Sequence, residues 1–155
     1  MTARILIVDD HEVLREGLKS LLAKVRPDWN VCGEATDGNE AIQLAQDLKP
    51  DVMILDITMA RVSGLEAAPQ MRKLGLSFPI LIFTTHHSEH LAADVRESGA
   101  QGYVVKSQAA RDLVLAIDTL LAGGTFFGAP PQSQPAEKKK INPGILLRSI
   151  FVPAA

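Results

Sequence analysis

Short uninterrupted apolar runs alternate along this chain with longer stretches in which apolar positions recur every three to four residues. "RILIVDD" (residues 4–10) is such a run, closed by two acids. Behind it Val13, Gly17 and Leu21 alternate with Leu14, Leu18 and Leu22, a spacing of four that predicts an amphipathic helix. "WNVCGEA" (29–35) predicts a strand, and "NEAIQLAQDL" (39–48) a helix with Ile42, Ala45 and Leu48 inward, ended by Pro50. "DVMILD" (51–56) is the next strand. Ser63 and Glu66 have the S-x-x-E spacing of a capping box, predicting a third helix to about residue 75. "FPILIFTT" (78–85) is a fourth buried run. Ser88 is the expected cap of a helix reaching Ser98, with Gly99 as its terminator. "GYVVK" (102–106) makes a fifth strand, and a fifth helix turns Leu113, Ala116, Ile117, Leu120 and Leu121 inward before Gly123-Gly124 stops it.

Five strand–helix pairs with strands apolar on both faces imply a parallel sheet covered on both sides. Right-handed crossovers make this an α/β, doubly wound sheet, whose ligands sit beyond the carboxyl ends of the strands.

Composition narrows the function classes. The chain has 155 residues, 46% hydrophobic and 22% charged, which suits one soluble domain with a real core. Its 16 basic and 18 acidic residues give a net charge of −2, which argues against broad non-specific binding to nucleic acid. Cys32 is the sole cysteine, so no internal disulfide framework exists and a reducing compartment is expected. Asp9 and Asp10 interrupt the apolar stretch that a signal peptide would need, and no run reaches the roughly 18 apolar residues of a membrane span. The expected location is cytoplasmic, away from membranes.

The polar residues at the strand ends carry the chemistry. The first strand stops at Asp9-Asp10, the third at Asp56, the fourth at Thr84-Thr85 and the fifth at Lys106. Singly, each has a bland reading as a turn residue, helix cap or solvated end. Together they line one rim. Two carboxylates about 4 Å apart repel by about 4 kcal/mol at an effective dielectric of about 20. Three require raised pKa values or a cation, and hard carboxylate oxygens suit Mg²⁺. Lysine supplies a point charge for phosphate oxygens. This set predicts phosphoryl transfer onto a carboxylate, with Asp56 as nucleophile and a metal ion plus Lys106 offsetting its charge.

At these residues the chain resembles a response-regulator receiver domain of the CheY-like, flavodoxin-like fold, (βα)5 on a five-stranded parallel sheet, over residues 3 to about 123. "VDD" at 8–10, "ILDITM" at 54–59, "TTH" at 84–86 and "GYVVK" at 102–106 stand in that family's order. The resemblance implies Asp56 as phosphoacceptor and Asp9 and Asp10 as the acidic pair serving Mg²⁺, with the Thr58 carbonyl as a further metal ligand. It implies that Thr84 and Lys106 bind the phosphoryl group, that Tyr103 swings inward when Thr84 closes, and that Thr58 and His86 tune hydrolysis. "GAQGYVVKS" with "TTHHSE" is most similar to the NarL/FixJ subfamily. Two departures stand out. Ala60 replaces the usual proline after Met59, and Pro69 falls inside the third helix, where a kink or a late start is expected.

Rival chemistries fare worse. "HEVLR" (11–15) opens like a zinc-protease helix, but Arg15 stands where its second histidine belongs. His86, His87 and His90 lack cysteine or acid partners at ligand spacing. A phosphatase with an aspartyl nucleophile would want an acid at position 58, which is threonine. A pseudo-receiver that is never phosphorylated remains the competing binding-module reading.

Residues 1–123 are thus expected to be the receiver and 124–155 a linker or tail, with five of the nine prolines, a KKK triplet and a short apolar segment, "ILLRSIFV". NarL/FixJ relatives usually carry a helix-turn-helix output domain there. The expectation is a chain without one, with no sequence-specific DNA binding of its own. It would take its phosphoryl group from a sensor histidine kinase or phosphotransfer protein and signal to a downstream protein, or through a phosphorylation-dependent homodimer. The open alternative is a transcriptional regulator truncated of its DNA-binding domain.

Overall fold

The computed structural model describes residues 2–59, 61–85 and 87–127; His86, Ala60 and the stretch 128–155 lie outside them, with the expectations attached to each. In chain order the elements are β1 (Arg4–Val8), α1 (Glu12–Val25), β2 (Asn30–Ala35), α2 (Gly38–Leu48), β3 (Val52–Asp56), α3 (Gly64–Lys73), β4 (Ile80–Thr84), α4 (Leu91–Ser98), β5 (Gly102–Val105), α5 (Ala109–Leu121) and β6 (Phe126–Phe127). A short 3₁₀ turn, Lys106–Gln108, joins β5 to α5.

The sheet order is β2-β1-β3-β4-β5-β6, and every neighbouring pair is parallel. Strand alternation divides the core between two faces. Leu6, Val8, Met53, Leu55, Ile80 and Ile82 pack with Ala41, Ala45, Ala67, Met71 and Val95 of α2, α3 and α4. Ile5, Ile7, Val52, Ile54, Leu81 and Phe83 pack with Leu18 and Leu22 of α1 and Leu113 and Ile117 of α5. Helices on both faces make the sheet doubly wound, as the sequence predicts, and its first five strands follow the flavodoxin-like order.

The capping box forms as expected. The Ser63 hydroxyl accepts from the Glu66 amide at 3.3 Å, and Glu66 Oε1 accepts from the Ser63 amide at 3.0 Å. With its first turn so satisfied, α3 begins at Gly64 and runs through Pro69, so the late start does not occur.

Three local expectations are corrected. Helix α4 starts at Leu91 with His90 as its N-cap; the Ser88 carbonyl instead accepts from the Leu91 amide at 3.1 Å, closing a turn ahead of the helix. Val13 is 86% exposed, because α1 buries Leu18 and Leu22 against the sheet and holds Leu14 and Leu21 at the margin of that contact. The sheet also gains a sixth strand, in which Phe126 and Phe127 pair with Gly102 and Tyr103. Gly102 makes that pairing possible, since a Cβ there would stand 2.1 Å from the Phe126 carbonyl oxygen.

Candidate functional site

Three of the buried polar residues, Asp9, Asp56 and Thr84, stand at the carboxyl ends of β1, β3 and β4. Register explains the convergence. Asp56 lies beside Phe83 of β4, and Thr84, the next residue, lies beside Val105, which precedes Lys106. Parallel neighbours therefore deliver Asp56, Thr84 and Lys106 to one edge, with Asp9 following β1 on the other side of β3.

Asp9 is 1% exposed and well provided with donors. Its Oδ2 accepts from Lys106 Nζ at 2.7 Å, and its Oδ1 accepts from the His11 amide at 2.9 Å and lies 2.8 Å from His11 Nδ1. Burial alone would push its carboxyl up, but the hydrogen bonds from Lys106 and His11 outweigh burial and hold it below the ordinary carboxylate range.

Asp56, also buried, is treated differently. Its Oδ1 accepts from the Thr58 amide at 3.3 Å and lies 3.5 Å from Lys106 Nζ, while its Oδ2 has no partner among the described residues. Burial, reinforced by the Asp9 charge, pushes this carboxyl above its ordinary value, and Lys106 compensates only in part. The sequence pairs Lys106 with Asp56; the folded chain gives Lys106 first to Asp9. The floor of the site is tight. Gly64 N donates to the Ile57 carbonyl at 3.1 Å, and a Cβ on Gly64 would come within 2.3 Å of the Asp56 carbonyl oxygen.

One oxygen each from Asp9, Asp10 and Asp56 and one His11 nitrogen all lie within 4.8 Å of one another. Oxygen donors this close, on a set that includes a buried carboxylate whose Oδ2 has no partner among the described residues, fit a hard divalent cation such as Mg²⁺. Asp10 stays exposed at the rim, and Thr58 is exposed beside Asp56. Tyr103 is buried, its ring 6.3 Å from that of Phe127 in an edge-on arrangement and 6.3 Å from that of His87.

Several supporting residues are not evident from the strand-end pattern. Arg15 donates to the Asp9 carbonyl at 2.6 Å and to Glu34 at 2.9 Å, securing the end of β1. Arg61, in the β3–α3 loop, pairs with the α2 cap Asp37 at 2.5 Å. The only sequence signal for either is a charge at the right distance from its element's end. His11 is foreshadowed by following two acids directly.

Residues 5–118 match the family model of the response regulator receiver domain. The chain belongs to that family. Receiver domains are signalling modules of two-component systems and bind Mg²⁺ at an acidic pocket, the setting in which this cluster stands. Among curated relatives, the transcriptional regulatory protein YdfI of Bacillus subtilis is 40% identical over 80% of this chain and 57% of its own length. The nitrate/nitrite response regulator protein NarL of Escherichia coli is 38% identical over 78% of this chain and 56% of its own. The chain thus spans a little over half the length of these curated relatives. A LuxR-family two-component response regulator from Aurantimonas sp. SI85-9A1 superposes on this receiver domain with a TM-score of 0.77 at 40% identity, covering 82% of this chain and 90% of that one. The receiver domain of the putative regulator NarL from Mycobacterium tuberculosis does so with a TM-score of 0.73 at 30% identity, covering 79% and 98%. Among the described residues, no helix is long and apolar enough to cross a membrane.

Proposed function

We propose that this receiver domain is phosphorylated on Asp56 by a sensor histidine kinase or phosphotransfer protein and passes the signal on by protein contact. One observation supports this above the others: Asp56 is a buried carboxylate with an oxygen unpartnered among the described residues, set beside Asp9 and within reach of Lys106. A carboxylate in that position is poised to gain by acquiring a ligand. In the reaction a carboxylate oxygen of Asp56 bonds to phosphorus while the bond from phosphorus to the donor's leaving atom breaks, and the leaving group keeps that electron pair. Asp9, Asp10 and Asp56, with the Thr58 carbonyl, are the residues that would hold Mg²⁺, which when bound neutralises charge between the acceptor and the incoming oxygens. Lys106 and Thr84 bind the transferred group, and Thr58 and His86, the latter outside the described residues, set its lifetime.

Tyr103 already lies inward here, so phosphorylation would stabilise an existing orientation through Thr84 rather than create a new one. The readout is a changed surface around β5, taken by a downstream protein or a second copy of the chain. The free thiol of Cys32 suits the cytoplasm. Self-phosphorylation and hydrolysis on Asp56 would be the chain's only catalysis.

The test is incubation with acetyl phosphate and Mg²⁺ followed by intact mass. One added phosphoryl group is expected in the wild type and none in Asp56→Asn; equal labelling of both would overturn the assignment, and none in either would favour a pseudo-receiver. A second reading follows from the transcriptional-regulator names of the relatives and the part-length match: the same switch would govern a DNA-binding output. The chain itself is expected not to read DNA sequence, and a motif enriched from a genomic fragment library against excess competitor would refute that.

A further inference from the structure

We propose that His11 is a nitrogen ligand of the cation in this pocket and shifts its preference from Mg²⁺ toward borderline first-row ions such as Mn²⁺. The inference rests on reading the acidic cluster as a cation site. His11 occupies the N-cap of α1, yet its side chain makes no cap hydrogen bond to the helix amides. The ring turns back to the acids instead, placing Nδ1 2.8 Å from Asp9 Oδ1 and 3.1 Å from Asp10 Oδ1. Adjacent ligands of an octahedral ion with bonds of about 2.1 Å stand about 3.0 Å apart, so both spacings suit neighbouring positions on one ion. Asp56, a member of the same cluster, keeps a buried oxygen with no partner among the described residues, which points independently to a missing ligand.

The donor set decides which ion. Mg²⁺ takes oxygen ligands and keeps its waters, so an imidazole adds little to its binding. Imidazole bonds well to borderline transition ions, and a pocket of three carboxylates and one imidazole is a mixed site that such ions fill better. Nδ1 donates to Asp9 in this structure; on binding an ion the ring would exchange that hydrogen bond for the metal, carrying its proton on Nε2 and presenting the Nδ1 lone pair. Lys106 does not compete for that position, because it bonds the other oxygen of Asp9.

The experiment is pulsed electron paramagnetic resonance of the full chain loaded with stoichiometric Mn²⁺, together with direct titration of Mn²⁺ and of Mg²⁺. His11 is 66% exposed at its side chain, so His11→Gln is expected to fold normally. Wild type should show nitrogen modulation from a directly bound imidazole, and His11→Gln should lack it. Mn²⁺ affinity should fall about tenfold in the variant, while Mg²⁺ affinity changes less than about twofold. Bound Mn²⁺ without nitrogen modulation in the wild type would overturn the ligand assignment. Parallel loss of both affinities would overturn the selectivity, leaving His11 a positioning partner of Asp9. Failure of the wild type to bind either ion would instead overturn the reading of the pocket as a cation site.

Discussion

Lys106 Nζ lies 2.7 Å from Asp9 Oδ2 and 3.5 Å from Asp56 Oδ1, so one lysine is shared unequally between two buried acids. The inequality matches their opposite shifts, with Asp9 held below and Asp56 pushed above the ordinary carboxylate range. Lys106→Ala would leave both acids facing each other with no cation between them. A loss of about 3 kcal/mol near neutral pH is expected, partly restored by millimolar Mg²⁺. Urea titration with and without the ion measures both effects; an unchanged midpoint would show that the lysine contributes nothing to this balance.

Asp56 should make the fold less stable as pH rises. Its folded-state pKa is raised, so across the window from the unfolded value up to the folded one the native state holds the extra proton. Stability from this group is therefore full at acid pH and is lost as pH climbs through that window. Asp9 runs the other way: its stabilisation is present above the unfolded value and disappears as pH falls through its lowered one. Asp56→Asn should accordingly raise stability near neutral pH by about 1–3 kcal/mol, with the gain vanishing in acid. Thermal melts over a pH series test this, and a gain independent of pH would count against a charge origin.

Arg72 closes the end of the molecule opposite the site. It donates to the Gly99 carbonyl at 3.0 Å, to those of Leu76 and Phe78 at 2.9 and 2.8 Å, and to Gln101 Oε1 at 2.8 Å. A single guanidinium thus ties the loop after α3 to the loop after α4, and an ammonium lacks the fork geometry to reach all of these acceptors. Arg72→Met should cost about 3 kcal/mol, and Arg72→Lys should recover less than half. Phosphoryl incorporation per folded molecule should stay unchanged, which separates a structural role from one in the site.

Strand β6 depends on Gly102. Gly102→Ala should push β6 away at a cost of about 1–3 kcal/mol, releasing Phe127 from Tyr103 and from the Arg96 guanidinium, 3.9 Å from its ring. Amide exchange should then quicken at Phe126 and Phe127 while Ile54 and Leu55 stay protected. Equal loss at all four positions would mean that β6 is integral to the core.

Much of this was legible along the chain because the relevant signals are local. A strand buried on both faces must be apolar throughout, so β1, β3 and β4 announce themselves. A polar residue ending such a strand must lie at the rim of a parallel sheet, which puts Asp9, Asp56, Thr84 and Lys106 on one edge, while strand order and register bring them together. The capping box at Ser63 and Glu66 is equally local, since both partners lie within one turn.

Other features needed distances between residues remote in sequence. Spacing of four gave α1 two equivalent stripes, and only packing against the sheet chose Leu18 and Leu22 over Val13. Pairing of Phe126 and Phe127 with β5 depended on a backbone approach that Gly102 permits and no periodicity encodes. Lys106 sits 97 residues from Asp9, and its preference over Asp56 is a matter of less than an ångström. Apolar patterning decides which residues are buried, because burial scales with area and is non-directional. Which charge meets which is set by short-range, directional contacts, and those exist only once the tertiary structure has brought the strand ends together.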